Sequence, residues 1–373
     1  MNKPKVLFIF FQSESLANGG TTSLSQIIFN LRQVEPMVIT QIETPLNEVL
    51  RKKGVKVIIM SGSFTGKFKK LISIIRFQFK LFLFLRKHNF TAVHVNDINA
   101  LIHAGRAVKL CKLKLVFNVR DIHAPNKSYD SKWQQAKHCD HIIGLSQDMK
   151  NELVVRLPIP DNCKNNITYI YSIVDFNIFK SDLTVDKISQ TNGKFNVLYA
   201  ATFNDKKNQL DFINHALPLT KLSNIHVHFV GDFNPENDAY AKKCLDALSS
   251  QDSSNYTLHG YQEDMSRYYR IMDLTVVPTR KEGLARCMIE SISCGTPVIS
   301  FDVSSAKEIL QEHHCGSVVS QGDYDFFIKE IERLKNDQFE WKTCSINGVD
   351  LSRKLFGFDC VIEEYEGIYL TGK

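Results

Sequence analysis

Residues 255–310 read NYTLHGYQEDMSRYYRIMDLTVVPTRKEGLARCMIESISCGTPVISFDVSSAKEIL. Three runs in it, NYTLHG (255–260), LTVVPT (274–279) and TPVISFD (296–302), are short, apolar and largely β-branched or aromatic, and helix-length segments separate them. Near-continuous apolar strands alternating with helices predict a parallel sheet covered on both faces. Pro278 and Thr279 close the middle strand, and Gly283 permits a turn. LARCMIESISC then shows helical spacing through Leu284, Met288 and Ile292.

The same alternation extends in both directions. Strands are predicted at 5–10, 37–40, 55–60, 92–96, 114–119, 141–146 and 167–171, and again at 195–201, 225–231 and 316–319. The pattern breaks at VDFNIFKSDLTVDKISQTNGK (174–194), a polar, interrupted linker. With 373 residues, more than one core normally holds, the reading is α/β. It consists of two doubly wound, Rossmann-like domains facing a central cleft, at 1–176 and 177–354, with a C-terminal helix at about 355–373 packing back on the first. No repeat of 20–50 residues is visible.

A hydrophobic content of 43% with 23% charged residues is ordinary for a globular chain and excludes disorder. The net charge of +6 permits an anionic ligand or surface, and no nucleic-acid partner is expected. Nine cysteines without a Cys-x-x-Cys pair read as scattered thiols in a reducing compartment. The apolar start is too short for a signal peptide, and no run of about 18 apolar residues could span a bilayer. The expected location is cytoplasmic.

In open α/β sheets ligands bind at the carboxyl ends of strands. Gly19 and Gly20 after the first strand permit a tight turn, and Thr21, Thr22 or Ser23 can cap the following helix. Such a helix start suits an anion, or is simply a turn and cap. It is not G-x-G-x-x-G, which argues against a nicotinamide site. Arg120, Asp121 and His123 cluster after KLVFNV (114–119). Lys206 and Lys207 follow FNVLYAA (195–201) at a helix start, either as a diphosphate clamp or as a solvated pair. Gly231-Asp232 is another strand-end turn.

Glu282 lies in the loop and Glu290 inside the next helix. About 12 Å would separate them if all between were helical, against the about 5–5.5 Å of a retaining carboxylate pair. They are too far apart to share a proton. They suit an extended ligand gripped at both ends, its anionic middle on the helix-start amides, or else serve as a dipole partner and a surface acid. Asp323-Tyr324-Asp325 has the D-x-D form of a metal site but opens a helix, where acids cap. No His/Cys/Asp cluster has metal spacing, so no metal is expected.

Taken together, these residues resemble the GT-B glycosyltransferases of family 4, the retaining, metal-independent group that uses nucleotide-sugars. Residues 255–310 carry the resemblance through Glu-x7-Glu, the small-residue run before PVI and the late Glu308. HIIGLSQDMKNEL (141–153), YSIVDFNIF (171–179), Lys207 and Gly231-Asp232 extend it across nearly the whole chain. The resemblance implies that Glu282 contacts the transferred sugar and Glu290 the ribose hydroxyls. It implies that Lys207 neutralises the leaving diphosphate with the amides of Gly283, Leu284 and Ala285. Gly19 and Gly20 would admit the donor phosphate. Departures are Thr202 where the family has arginine, with Lys206 or Arg286 as possible substitutes; Ser172-Ile173-Val174-Asp175 at the domain junction; Ala285 for a glycine; and Arg120 at the family's histidine, with His123 three residues on.

FTGKFKKLISIIRFQFKLFLFLRKHNF (64–90) is basic, aromatic and helical, and part of it must pack on the first sheet. The rest could sit on an anionic membrane surface, which would suit a glycan or polyprenyl-linked glycan acceptor. The expected function is therefore retaining transfer of a hexose or N-acetylhexosamine from a nucleoside diphosphate sugar to a glycan hydroxyl, in cell-surface polysaccharide or lipopolysaccharide assembly. The alternatives are a nucleotide-sugar epimerase and a non-catalytic sugar-binding subunit.

Overall fold

A computed structural model describes residues 3–11, 19–61, 67–120, 132–182, 193–220 and 223–371. Apolar runs become strands that hydrogen-bond in parallel throughout. The chain divides into two compact units.

Among the described residues, the first unit has seven strands. They are β1 (Lys5–Ile9), β2 (Glu35–Thr40), β3 (Lys56–Ile59), β4 (Phe90–Val95), β5 (Lys114–Asn118), β6 (His141–Gly144) and β7 (Ile167–Tyr169), in the order β3-β2-β1-β4-β5-β6-β7. Its helices are α1 (Gly19–Asn30), α2 (Pro45–Lys52), α3 (Lys67–Lys87), α4 (Ile98–Leu110) and α5 (Gln147–Arg156). The second unit has β8 (Phe195–Ala200), β9 (Ile225–Val230), β10 (Tyr256–Gly260), β11 (Leu274–Val277), β12 (Val298–Phe301) and β13 (Gly316–Val319), in the order β10-β9-β8-β11-β12-β13. Its helices are α6 (Gln209–His215), α7 (Leu217–Thr220), α8 (Ala239–Ser249), α9 (Met265–Ile271), α10 (Arg286–Ser293), α11 (Tyr324–Asn336) and α12 (Gln338–Leu355). The last helix, α13 (Phe358–Leu370), belongs to the first unit.

The units are Met1–Ile173 with Phe358–Lys373, and Val174–Gly357. The crossing therefore falls after Ile173 rather than after residue 176. Ile173 packs in the first core with Val361, Ile362, Tyr365 and Tyr369, whereas Val174 N donates to Phe356 O at 2.9 Å. The return falls after Gly357 rather than near residue 354, because α12 continues through Leu355. Each fully buried Leu, Ile, Val or Phe in these cores contributes about 1.5–3 kcal/mol. Among the described residues, no helix is long and apolar enough to cross a membrane. None of the nine cysteines is in a disulfide.

Candidate functional site

The strand order of the second unit reverses between β8 and β11, so the segments leaving these neighbours diverge and open a crevice at their carboxyl ends. Two loops enter it, Ala201–Asn208 from β8 and Pro278–Ala285 from β11. They bring Lys207 and Glu282 together: Lys207 Nζ donates to Glu282 Oε1. Lys206 Nζ lies 3.8 Å from the other oxygen of the same carboxylate. Glu282 is 9% exposed, so it does not face bulk water.

The lysine turn is fastened to the second loop. Lys207 N donates to Asn204 Oδ1 at 3.0 Å, and the Tyr199 hydroxyl donates to Lys207 O. The Thr279 hydroxyl and Arg280 N both donate to Lys206 O, at 2.8 and 3.0 Å. Asn208 adopts the left-handed conformation (φ 68°) that asparagine tolerates. From there its amide donates to Pro278 O at 3.0 Å and to the Tyr324 hydroxyl at 2.9 Å.

Glu290 sits on α10, 8% exposed. Arg286 Nε and Nη2 donate to its Oε1 at 3.1 and 2.7 Å, and the Tyr269 hydroxyl donates to Oε2 at 3.2 Å. Arg286 Nη1 is buried and meets no acceptor among the described residues. The reading of Glu290 as a surface acid is thereby set aside. The Cys287 thiol is pushed up to about 12 by burial, with Lys207 pulling it down and Glu282 and Glu290 pushing it up. It is an inert thiol among the three charges. α10 begins at Arg286 rather than at Leu284. Gly283 and Leu284 stay in the loop, and Ala285, the N-cap, offers no side-chain hydrogen bond to the helix amides.

Thr202 is exposed in the first loop, and its carbonyl accepts from Gln209 Nε2 at 3.0 Å. Gly231 packs against the same loop: a Cβ there would lie 2.0 Å from Ala201 O. Of the two candidates for the missing arginine, Lys206 approaches Glu282 while Arg286 is engaged by Glu290. Asp323 Oδ1 accepts from Phe326 N at 3.0 Å, so the D-x-D aspartate caps α11. Among the described residues no group of three His, Cys, Asp or Glu could hold a metal ion.

In the first unit the order reverses between β1 and β4. Asp97, just past β4, caps α4 through Asn99 N and Ala100 N, both at 2.8 Å, and accepts from Phe11 N at 3.1 Å. Arg120, past β5, donates from Nε to Asn96 Oδ1 at 2.9 Å and from Nη1 to Ser23 Oγ at 3.2 Å. Its guanidinium therefore ties the ends of β4 and β5 to α1, which Gly19 and Gly20 open. Tyr365 and Tyr369 of α13 support these strands, through Asn118 Nδ2 at 2.6 Å and His94 Nδ1 at 2.9 Å. Asp121 and His123 lie outside the described residues. Asn96, Asn208 and Tyr269 were not singled out by sequence reasoning, and Ser23 and Thr279 were read only as a helix cap and a strand end. Only Asn208 carried a usable signal, an asparagine where a turn needs positive φ.

The chain matches the family model for glycosyl transferases group 1 over residues 182–348 and that for Glycosyltransferase Family 4 over residues 18–177. It belongs to this group 1/family 4 class of glycosyltransferases. The capsular polysaccharide biosynthesis glycosyltransferase CapM of Staphylococcus aureus is 24% identical over 236 residues, 62% of this chain and 61% of CapM. The match thus spans under two thirds of that relative. Two solved structures share the fold. The Anabaena HepE protein in complex with UDP superposes with a TM-score of 0.81 at 17% identity, over 98% of this chain and 99% of that one. A Rickettsia africae glycosyltransferase superposes with a TM-score of 0.84 at 16% identity, over 99% and 98%. The fold is GT-B.

Proposed function

We propose that the chain transfers a hexosyl or N-acetylhexosaminyl group from a nucleoside diphosphate sugar to a glycan hydroxyl, with retention and without a metal. The setting is cell-surface polysaccharide assembly in the cytoplasm. The observation that carries this reading is the meeting of Lys207, Lys206 and Glu282 at the β8/β11 crevice, one helix away from Glu290. Departure of a nucleoside diphosphate leaves negative charge that preorganised cations and helix-start amides stabilise. Lys207 supplies that charge, with Lys206 standing in for the absent arginine. Arg286 Nη1, buried without an acceptor, offers a further donor. Glu290 accepts ribose hydroxyls, and Glu282, released by Lys207 as the diphosphate binds, accepts hydroxyls of the transferred sugar. HepE's complex with UDP and CapM's role in capsular polysaccharide biosynthesis support a UDP-sugar donor and a glycan acceptor.

A thermal-shift screen of nucleoside diphosphates comes first, since a ligand of the folded state raises its melting temperature. UDP is expected to stabilise the chain, and Glu290→Ala to abolish that stabilisation. With an acceptor extract and EDTA present, the wild type is expected to transfer sugar with retained anomeric configuration. Lys207→Ala is expected to be slower by about 10²–10³. Binding without transfer would favour a sugar-binding subunit, and conversion of the donor without acceptor would favour an epimerase. An undiminished rate in Glu282→Ala would refute the assignment of that residue.

A further inference from the structure

α3 has two unlike faces. Ser73, Phe77, Leu81 and Leu85, four residues apart, are buried. This face lies on α4, where Gln78 Nε2 donates to Ile102 O at 2.9 Å and the Phe77 and His103 rings meet edge-on at 5.6 Å. Leu71, Ile75, Phe79 and Leu83 repeat with the same spacing two residues out of phase. That offset places them about 200° around the helix. With Ile72 they are between 45% and 61% exposed. Single exposed apolar residues are ordinary, but five large ones on one helix face form a patch that packing within the unit does not explain.

The charge on this helix is equally one-sided. α3 contains seven Lys and Arg and no Asp or Glu, against a net +6 for the entire chain. Arg76, Lys80 and Lys87 border the apolar stripe, and Arg86 falls within it; all four are exposed. A partner protein core would accept the apolar stripe but not the dense, unrelieved positive charge. An anionic bilayer accepts both, with the side chains of Ile and Phe entering the acyl boundary and the ammonium and guanidinium groups at the headgroups. The sequence pattern at 64–90 left this open; the direction of the stripe away from α4 is what carries it.

We infer that the outer face of α3 is a membrane-docking surface for anionic phospholipid. It does not depend on the sugar-transfer reading.

The test is co-sedimentation of the full chain with phosphatidylglycerol-containing vesicles and with pure phosphatidylcholine vesicles, at low and high salt. Binding is expected on the anionic vesicles, weakened by salt. Arg76→Gln/Lys80→Gln should lower the partition coefficient about 25-fold, at about fivefold for each charge. Ile75→Ser/Phe79→Ser should lower it at least about tenfold. All four positions are exposed, so both variants should keep the wild-type melting temperature. Three results would each overturn the inference: absence of binding to anionic vesicles, equal binding to both lipids, and wild-type binding by both variants. So would a dimer in light scattering that the serine variant dissociates without any vesicle binding.

Discussion

Gly231 shows how little room the donor-side loop has. Its backbone (φ 156°) lies against the loop after β8, and a methyl group there would stand 2.0 Å from Ala201 O and 2.9 Å from Thr202 N. Both contacts are backbone, so neither can swing aside. Gly231→Ala should cost about 2–4 kcal/mol, read as a lowered urea midpoint. The lysine pair separates at the same scale. Lys207→Ala leaves the buried Glu282 carboxylate with the more distant Lys206 and a long bond (3.4 Å) from the Thr279 hydroxyl, and should destabilise by about 1–3 kcal/mol. Lys206, 40% exposed and 3.8 Å away, should cost under about 1 kcal/mol when replaced. Equal losses in urea denaturation would contradict this ranking. The two glutamates were legible as a spaced pair. Which side chain could stand in for the family's arginine was not, because Lys206 and Arg286 are equally plausible by spacing, and only the structure shows Arg286 engaged by Glu290.

At the scale of elements, strands were read more securely than helix starts. The apolar runs of β8, β9 and β11 stand where the periodicity put them, since alternation and β-branching are local properties. α10 starts two residues later than its apolar spacing suggested, because Leu284 and Ala285 are buried in the loop rather than in the helix. Two strands also carry buried imidazoles. His94 on β4 is held down to about 3 by burial, assisted by Arg120. His228 on β9 is held down to about 3 by burial, assisted by His226 and His259. An unfolded imidazole takes up its proton near pH 6.5. Below that pH the unfolded chain binds protons that the folded chain does not. Stability is therefore full above about 6.5 and is lost as pH falls toward 3. Each ring should cost about 2 kcal/mol between pH 7 and 5. Denaturant midpoints at the two pH values check this, and a midpoint unchanged at pH 5 would contradict neutral burial of these rings.

Over the whole molecule, the last helix completes the first unit. α13 contributes Val361, Ile362, Tyr365 and Tyr369 to the core of β1, β2, β4 and β5. Lys114 Nζ reaches the end of that helix at Ile368 O (2.6 Å) and Thr371 O (3.1 Å). Removing residues 358–373 should therefore unfold the first unit and spare the second. Hydrogen exchange should show protection lost in β1 and β4 and kept in β8 and β11; uniform loss would contradict two separate cores. The α/β class, the two sheets, the spacing of the Glu-x7-Glu pair and the basic helix α3 were all readable from the chain, because each follows from residue type and spacing over a few turns or strands. That Lys207 and Lys206 both meet Glu282, what holds Glu290, where the chain crosses between units and which way the apolar stripe of α3 points were not readable. Each depends on side chains distant in sequence competing for one partner or one face, and that competition is resolved only when the sheets are assembled.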